Sequence, residues 1–326
     1  MKIGAFSIAL NNYPLEEVLK LYKELGLQTI ELGCGGYSKS NHISLDEVLS
    51  NSGYRDNILN MLKQYNIQIS GLGTQGNPVH PDPDIAVRYH ADYEKTVLAA
   101  EKMGVDTILL LSGCPGGSPA DRSPNWVVCP WPLDFPKILD YQWNDVLIPY
   151  WKKAAAFAAE HGIKKLAIEP HPGFCVYNPA TLLRLRKEAG PAIGANLDPS
   201  HLFWQGMDPL VAIEDLSECI YHFHVKDSMI EPYRVIHTGV LDPQPYSNYS
   251  ERSWNFRTLG YGHSTKIWKD IVSKLAMIGY DGTLSIEHED NLMAGIEGFK
   301  KGAKTLRNLV IREKVSTEWW KLRPEG

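Results

Sequence analysis

Eight short runs of β-branched and aliphatic residues, separated by longer segments of helical period, constrain this sequence more than any other feature. The runs centre on Ile3–Phe6, Thr29–Leu32, Ile67–Leu72, Thr107–Leu111, Lys165–Glu169, Ala192–Asp198, Tyr221–Lys226 and Thr283–Glu287. Helical periods fall between them, as in Leu15–Leu25, Ala86–Met103, Val146–His161, Pro179–Glu188, Lys266–Ile278 and Ala294–Arg312. Strand alternating with helix is the mark of parallel βα units. Several helices stop at a glycine before the next strand (Gly26, Gly104, Gly162, Gly279), where a left-handed cap is tolerated. No Gly-rich phosphate loop follows a strand, so a closed (β/α)8 TIM barrel is favoured over an open doubly wound sheet. A barrel also explains how 326 residues form one domain. Its expected extent is 1–312, followed by a tail, 313–326, whose Trp319 and Trp320 pack back on the barrel or on a neighbour.

Two stretches are too long and irregular for simple βα connections: 113–144 and 227–264. Both follow a strand and are rich in Pro, Trp, Tyr and Ser, which places them on the C-terminal face where barrel enzymes carry their active sites. We read them as lid loops over a substrate. A surface for self-association is the plainer reading of the same loops, and homo-oligomerisation is the expectation it gives.

Composition narrows the partners. With a net charge of −5 and no run of Lys or Arg able to track a phosphate backbone, nucleic acid is not an expected partner. The five cysteines are odd in number and lack a CxxC pair, so they read as reduced thiols. No long apolar run follows the first strand; neither a membrane span nor a signal peptide is expected, and the cytoplasm is the default location.

The chemistry lies at four strand ends. They read Ile168-Glu169-Pro170-His171, Leu197-Asp198-Pro199-Ser200-His201, His222-Phe223-His224-Val225-Lys226-Asp227 and Ile286-Glu287-His288-Glu289-Asp290. Buried charge is costly without a partner, and a divalent cation would neutralise three carboxylates at once. Glu169, Asp198, His224 and Glu287 are therefore the candidate ligands. Three carboxylates and one imidazole favour Mn2+, Mg2+ or Co2+ over a structural Zn2+ site, and Mn2+ leads, with Zn2+ also considered. Each residue has a plainer reading. Asp198-Pro199 has the form of a helix cap, one of His222 and His224 reads equally as a satisfied core histidine, and His288, Glu289 and Asp290 suit the start of a helix. Coincidence on four strands, not any one residue, supports the metal.

These four segments, with Ile30-Glu31-Leu32-Gly33 and the turn Gly76-Asn77-Pro78-Val79-His80-Pro81, resemble the sugar phosphate isomerase/epimerase group of the xylose-isomerase-like TIM barrel superfamily over residues 1–312. The resemblance implies a Glu/Asp/His/Glu metal site at the four ligands named above. It also implies proton abstraction beside a carbonyl through a metal-stabilised enediolate. Glu169 and Glu287 then serve as base and acid on opposite faces of a sugar, with His171 as a further base. His201, Lys226, His80 and Asn77 are the substrate-binding candidates.

The resemblance leaves a second outcome open. Inosose dehydratases and the catalytic subunits of 3-oxo-glycoside or C-glycoside deglycosidases share the fold and metal site, and there enolisation is followed by loss of a β-substituent. The histidines around the metal (His171, His201, His222, His288) and the loop tryptophans Trp126, Trp131, Trp143 and Trp254 tilt partway to that lyase. The loops then hold an aromatic aglycone or a small partner subunit, although lid packing is the plainer reading of the tryptophans. A metal-dependent abasic-site endonuclease shares the barrel but needs a basic face, which the net charge opposes. The absence of a Gly-rich phosphate cradle or an Arg cluster favours an unphosphorylated sugar or glycoside.

Overall fold

The computed structural model describes residues 1–313; the expected packing of Trp319 and Trp320 lies outside them. Among the described residues ten strands form: β1 (Lys2–Phe6), β2 (Thr29–Gly33), β3 (Gln68–Gly73), β4 (Thr107–Leu110), β5 (Lys165–Ile168), β6 (Ile193–Leu197), β7 (Ile220–Val225), β8 (Asp227–Ile230), β9 (Trp254–Arg257) and β10 (Thr283–Ile286). Eight of them close a parallel barrel in the order β1-β10-β7-β6-β5-β4-β3-β2. All eight expected strands are present, shifted by a residue or two at their ends.

The helices are held by the same local rules that mark them in the sequence. Leu15–Leu25 buries Val18, Leu19 and Tyr22 along one face, and Gly26 ends it in the left-handed region at φ 71°. Gly104 ends the helix Pro83–Met103 in the same way. One contiguous apolar core joins these faces to the barrel wall through residues such as Leu72, Ile108, Leu166, Phe223 and Leu284, all fully buried. Among the described residues no helix is long and apolar enough to cross a membrane.

The two long loops are more regular than their composition suggests. In the first, a helix over Asp134–Asp140 passes through a wide π turn, Tyr141–Leu147, into Ile148–Glu160, so the helix begins well before Val146. Pro149 has no N–H to donate into the α-helical ladder, which is a physical reason for the wide turn there. In the second, β8 and β9 pair antiparallel, with Asp227 opposite Arg257 and Ile230 opposite Trp254. The sequence signal was the alternation in Trp254-Asn255-Phe256-Arg257, where Trp254 and Phe256 pack with Trp204 in a small separate core. Asp227 closes this loop on itself. Its Oδ2 accepts the backbone N–H of Gly260, Gly262 and His263 and the Trp268 indole N–H, at 2.9–3.1 Å. A side chain on Gly262 would sit 2.3 Å from the Ser228 carbonyl, so the turn over Asp227 requires glycine.

Candidate metal centre and active site

The four expected ligands converge. Glu169, Asp198 and Glu287 each stand one residue beyond the C-terminal end of β5, β6 and β10, and His224 lies on the last turn of pleat in β7. One ligand atom from each lies within 4.8 Å of the others. Period two sends His222 and His224 into the barrel while Phe223 faces the helices. The register between β6 and β7 slips beside Asn196, which pairs with His222, and a similar slip between β2 and β3 falls at Glu31. Bulges of this kind re-aim side chains near sites.

His224 is held from both sides. Its Nδ1 is 2.9 Å from Glu287 Oε2 and 3.8 Å from Glu169 Oε2, while its Nε2 is 2.9 Å from Glu31 Oε2. Glu31 is fully buried and also accepts from the Ser285 hydroxyl at 2.9 Å. A carboxylate behind a histidine fixes which ring nitrogen carries the proton and turns the other towards a metal. The pairing of Glu31 with His224 was not legible in the sequence, because nothing local ties it to a residue 193 positions away.

Asp198 fulfils the plainer reading and leaves an oxygen over. Its Oδ1 caps the helix Pro199–Phe203 by accepting from Ser200 N–H at 2.8 Å, and its Oδ2 faces the cluster. Lys226 Nζ approaches Asp198 Oδ2 at 3.1 Å, Glu287 Oε2 at 2.8 Å and Glu289 Oε2 at 3.0 Å. Asp198 Oδ2 and Glu287 Oε2 are thus buried against ion-pair partners, Glu287 Oε2 against the His224 ring as well as Lys226. Three buried carboxylates gathered on one lysine and one imidazole carry more negative than positive charge when ionised, and a divalent cation would offset that cost. The donor set therefore fits such an ion, and Glu289 gives the Lys226 ammonium a counter-charge outside the ligand set.

Charge balance in the cluster shows in its proton affinities. Burial drives the Glu169 carboxyl well above its ordinary range, against the pull of His224. Burial likewise raises Asp198, opposed by Lys226. Glu287 goes the other way: burial alone would raise it, but Lys226 and His224 outweigh that and hold it far down. His224 is raised because Glu31 and Glu287 overcome burial. His171 is pushed down to about 4 by burial and by Lys226, and burial also pushes His201 and His222 down.

A pocket of about 170 Å³ opens over the cluster, lined on its polar side by Glu169, His171, Lys226, Glu287, Glu289 and Gln75. His201 supports it from below, with Nε2 2.9 Å from Glu169 Oε1 and its ring 4.1 Å from that of His171. His171 Nδ1 is 2.6 Å from the Pro172 carbonyl, so the proton sits on Nδ1 and Nε2 carries the lone pair. Asn77 and His80 are not in this lining. Asn77 pairs through both amide atoms with the backbone of Cys114, and His80 Nδ1 accepts from Asp82 N–H. His222 sits a layer deeper, between Asn196 and Ser70. His288 turns away from the candidate ligands to the Met293 carbonyl and Phe299. Of the loop tryptophans, Trp143 is buried under Arg184 and Trp131 is exposed, while Trp126 and Trp254 line a neighbouring cavity.

A barrel closed by eight parallel strands, with acidic and imidazole side chains gathered at their C-terminal ends, is the architecture of a barrel enzyme. A sequence profile of the xylose isomerase-like TIM barrel matches residues 19–309, and the chain belongs to that family. It is 38% identical over 313 residues to the uncharacterized protein YfiH of Bacillus subtilis strain 168, covering 95% of this chain and 99% of YfiH. Two solved structures share the fold at lower identity. The IOLI protein with a binding zinc atom superposes with a TM-score of 0.67 at 16% identity, covering 95% of this chain and 98% of that one. D-psicose 3-epimerase in the presence of D-fructose superposes with a TM-score of 0.60 at 16% identity, covering 94% and 98%.

Proposed function

We propose that this protein is a divalent-metal-dependent sugar isomerase or epimerase that moves a proton on a carbon next to a carbonyl. The observation that carries the reading is the placement of Glu169 and Glu287. They come from barrel strands separated by two others, reach one set of ligand atoms and line one pocket of about 170 Å³. Glu169, Asp198, His224 and Glu287 would hold the ion, Mn2+ by the hardness of three carboxylates and one imidazole, and it would supply positive charge for the reacting carbonyl.

The rest falls to the chain. One of Glu169 and Glu287 accepts the proton as the C–H electron pair passes to the carbonyl oxygen. The other, protonated, returns a proton to the same carbon, giving an epimer, or to its neighbour, giving an isomer once the proton of the neighbour's hydroxyl has passed to the former carbonyl oxygen. His171, with its Nε2 lone pair, is a second acceptor on the pocket wall. Lys226 directs charge towards the developing oxyanion, and His201 positions Glu169 through their 2.9 Å contact. Among the described residues Lys226 is the only lysine or arginine in the pocket lining, and it is already matched by three carboxylates, which favours an unphosphorylated sugar.

Incubating Mn2+-loaded protein with a panel of free ketoses in D2O and following them by NMR tests this. Deuterium at the carbon beside the carbonyl, with a new epimer or aldose appearing, is expected. Complete retention of the C–H signals across the panel contradicts the proposal.

A further inference from the structure

The pocket of about 170 Å³ is walled by two halves of the barrel that differ in chemistry. Strands β5, β6, β7 and β10 are neighbours and bring the carboxylates, His171 and Lys226. The other half, β1 to β4 and the turns after them, lines the same pocket with Phe6, Ile8, Tyr37, Ser38, Gln75 and Leu111. Phe6, Ile8 and Leu111 are apolar. Ser38 is engaged within the protein: its hydroxyl donates to the Gly35 carbonyl at 3.0 Å and accepts the Gln75 backbone N–H at 3.3 Å. Tyr37 lays its ring against Tyr89 at 5.2 Å and is largely exposed. Gln75 is different. Only 6% of it is exposed, yet its side-chain Oε1 is buried without a hydrogen-bond partner.

We propose that Gln75 is a specificity-determining residue, whose carboxamide hydrogen-bonds one hydroxyl of the substrate on the side away from the reacting carbons. The inference rests on reading the pocket as a sugar site. A buried amide left unsatisfied by the protein is uncommon and costs stability, so its place on a pocket wall points to a partner brought by the ligand. The terminal torsion of glutamine is broad, and the carboxamide turns either its oxygen or its amide to a hydroxyl, which both gives and takes a hydrogen bond. The base of the side chain is fixed. Its backbone carbonyl accepts Tyr37 N–H at 2.6 Å, and a side chain on Gly36, at φ 61°, would collide with that carbonyl. Gly73 leaves the carboxamide its room, since a Cβ there would lie 2.8 Å from Gln75 Oε1. A polar group set in an apolar wall rejects a ligand that lacks the matching hydroxyl more sharply than the apolar wall alone would.

Calorimetric titration of the Mn2+-loaded full chain with D-fructose, D-psicose, D-tagatose and L-sorbose, and with their 4-, 5- and 6-deoxy counterparts, tests the assignment. Loss of one hydroxyl is expected to weaken binding about tenfold or more at one position in at least one series. Gln75→Leu and Gln75→Met should each bring that ratio of parent to deoxy affinity to about one, with Mn2+ affinity by chelator competition unchanged. A wild type that tolerates every deoxy position overturns the proposal, and so does a ratio that survives both substitutions. Loss of Mn2+ from both variants makes Gln75 a support of the ion site and also overturns it. A Gln75-dependent ratio in a protein that exchanges no ketose proton contradicts the enolisation reading and leaves Gln75 standing. Proton exchange without such a ratio removes the role of Gln75 alone, and a protein that binds none of these sugars overturns both.

Discussion

Glu31 Oε2 lies 2.9 Å from His224 Nε2, on the side of the imidazole opposite Glu287, so a buried carboxylate of β2 orients a candidate ligand of β7 across the barrel. Glu31→Gln keeps the shape and removes the charge. Metal affinity, measured by competition with a chromophoric chelator, should fall by about 10- to 100-fold with the fold intact. An unchanged affinity would mean that Glu31 only fills space.

Glu287 lines the pocket over the cluster and also belongs to the candidate ligand set. Glu287→Gln should lower the rate of deuterium exchange into a ketose substrate by about 10²- to 10⁴-fold, with far-ultraviolet circular dichroism unchanged. Wild-type exchange in this variant would remove Glu287 from the chemistry.

Asp227 is fully buried and gathers donors from Gly260, Gly262, His263 and Trp268, which ties both ends of the second long loop to the barrel. Asp227→Ala strands those donors. Urea denaturation should show a loss of roughly 3 kcal/mol, from unsatisfied buried N–H groups costing about 1–3 kcal/mol each with partial relaxation. Proteolytic cutting should rise within residues 231–253. A loss below about 0.5 kcal/mol, the scale of ordinary surface changes, would show that the turn holds without its centre.

His42 is wedged between Ser7 Oγ at 3.0 Å and the Tyr13 carbonyl at 3.1 Å. Burial lowers its proton affinity more than the Tyr13 carbonyl raises it, so the folded protein prefers the ring neutral. The unfolded chain takes up this proton below about pH 6.5. Stability from this group is therefore complete above that value and declines as pH falls towards the lowered folded value. Between pH 7 and pH 5, His42→Gln should show a shallower fall in unfolding free energy than wild type. Equal slopes would assign the pH dependence to other groups.

What the sequence disclosed follows from how local each signal is. Period-two runs and Gly-terminated helices are local, so all eight barrel strands and the helix Leu15–Leu25 were readable. The convergence of the four candidate ligands was readable because they end consecutive strands of the barrel, a place its topology makes equivalent. Glu31 reads from the sequence only as an extra metal ligand with His80 in the endonuclease reading, not as the partner of His224, since His224 and Ser285 are 193 and 254 residues away. Asn77 looked like a pocket residue in its turn, yet its amide is matched to Cys114 by tertiary packing that no local pattern displays. The hairpin β8–β9 was hidden in a stretch rich in turn residues, where two four-residue strands carry too little alternation to stand out.

The central claim is that Glu169, Asp198, His224 and Glu287 together hold one divalent ion. Its most direct test is elemental analysis of protein stripped with chelator, reloaded with Mn2+ and desalted, for wild type and for Asp198→Asn and Glu169→Gln. The account predicts about one ion per chain in wild type, and about tenfold or greater weakening of retention in each variant. An ion-free wild type at millimolar Mn2+, or equal retention in all three proteins, would contradict it.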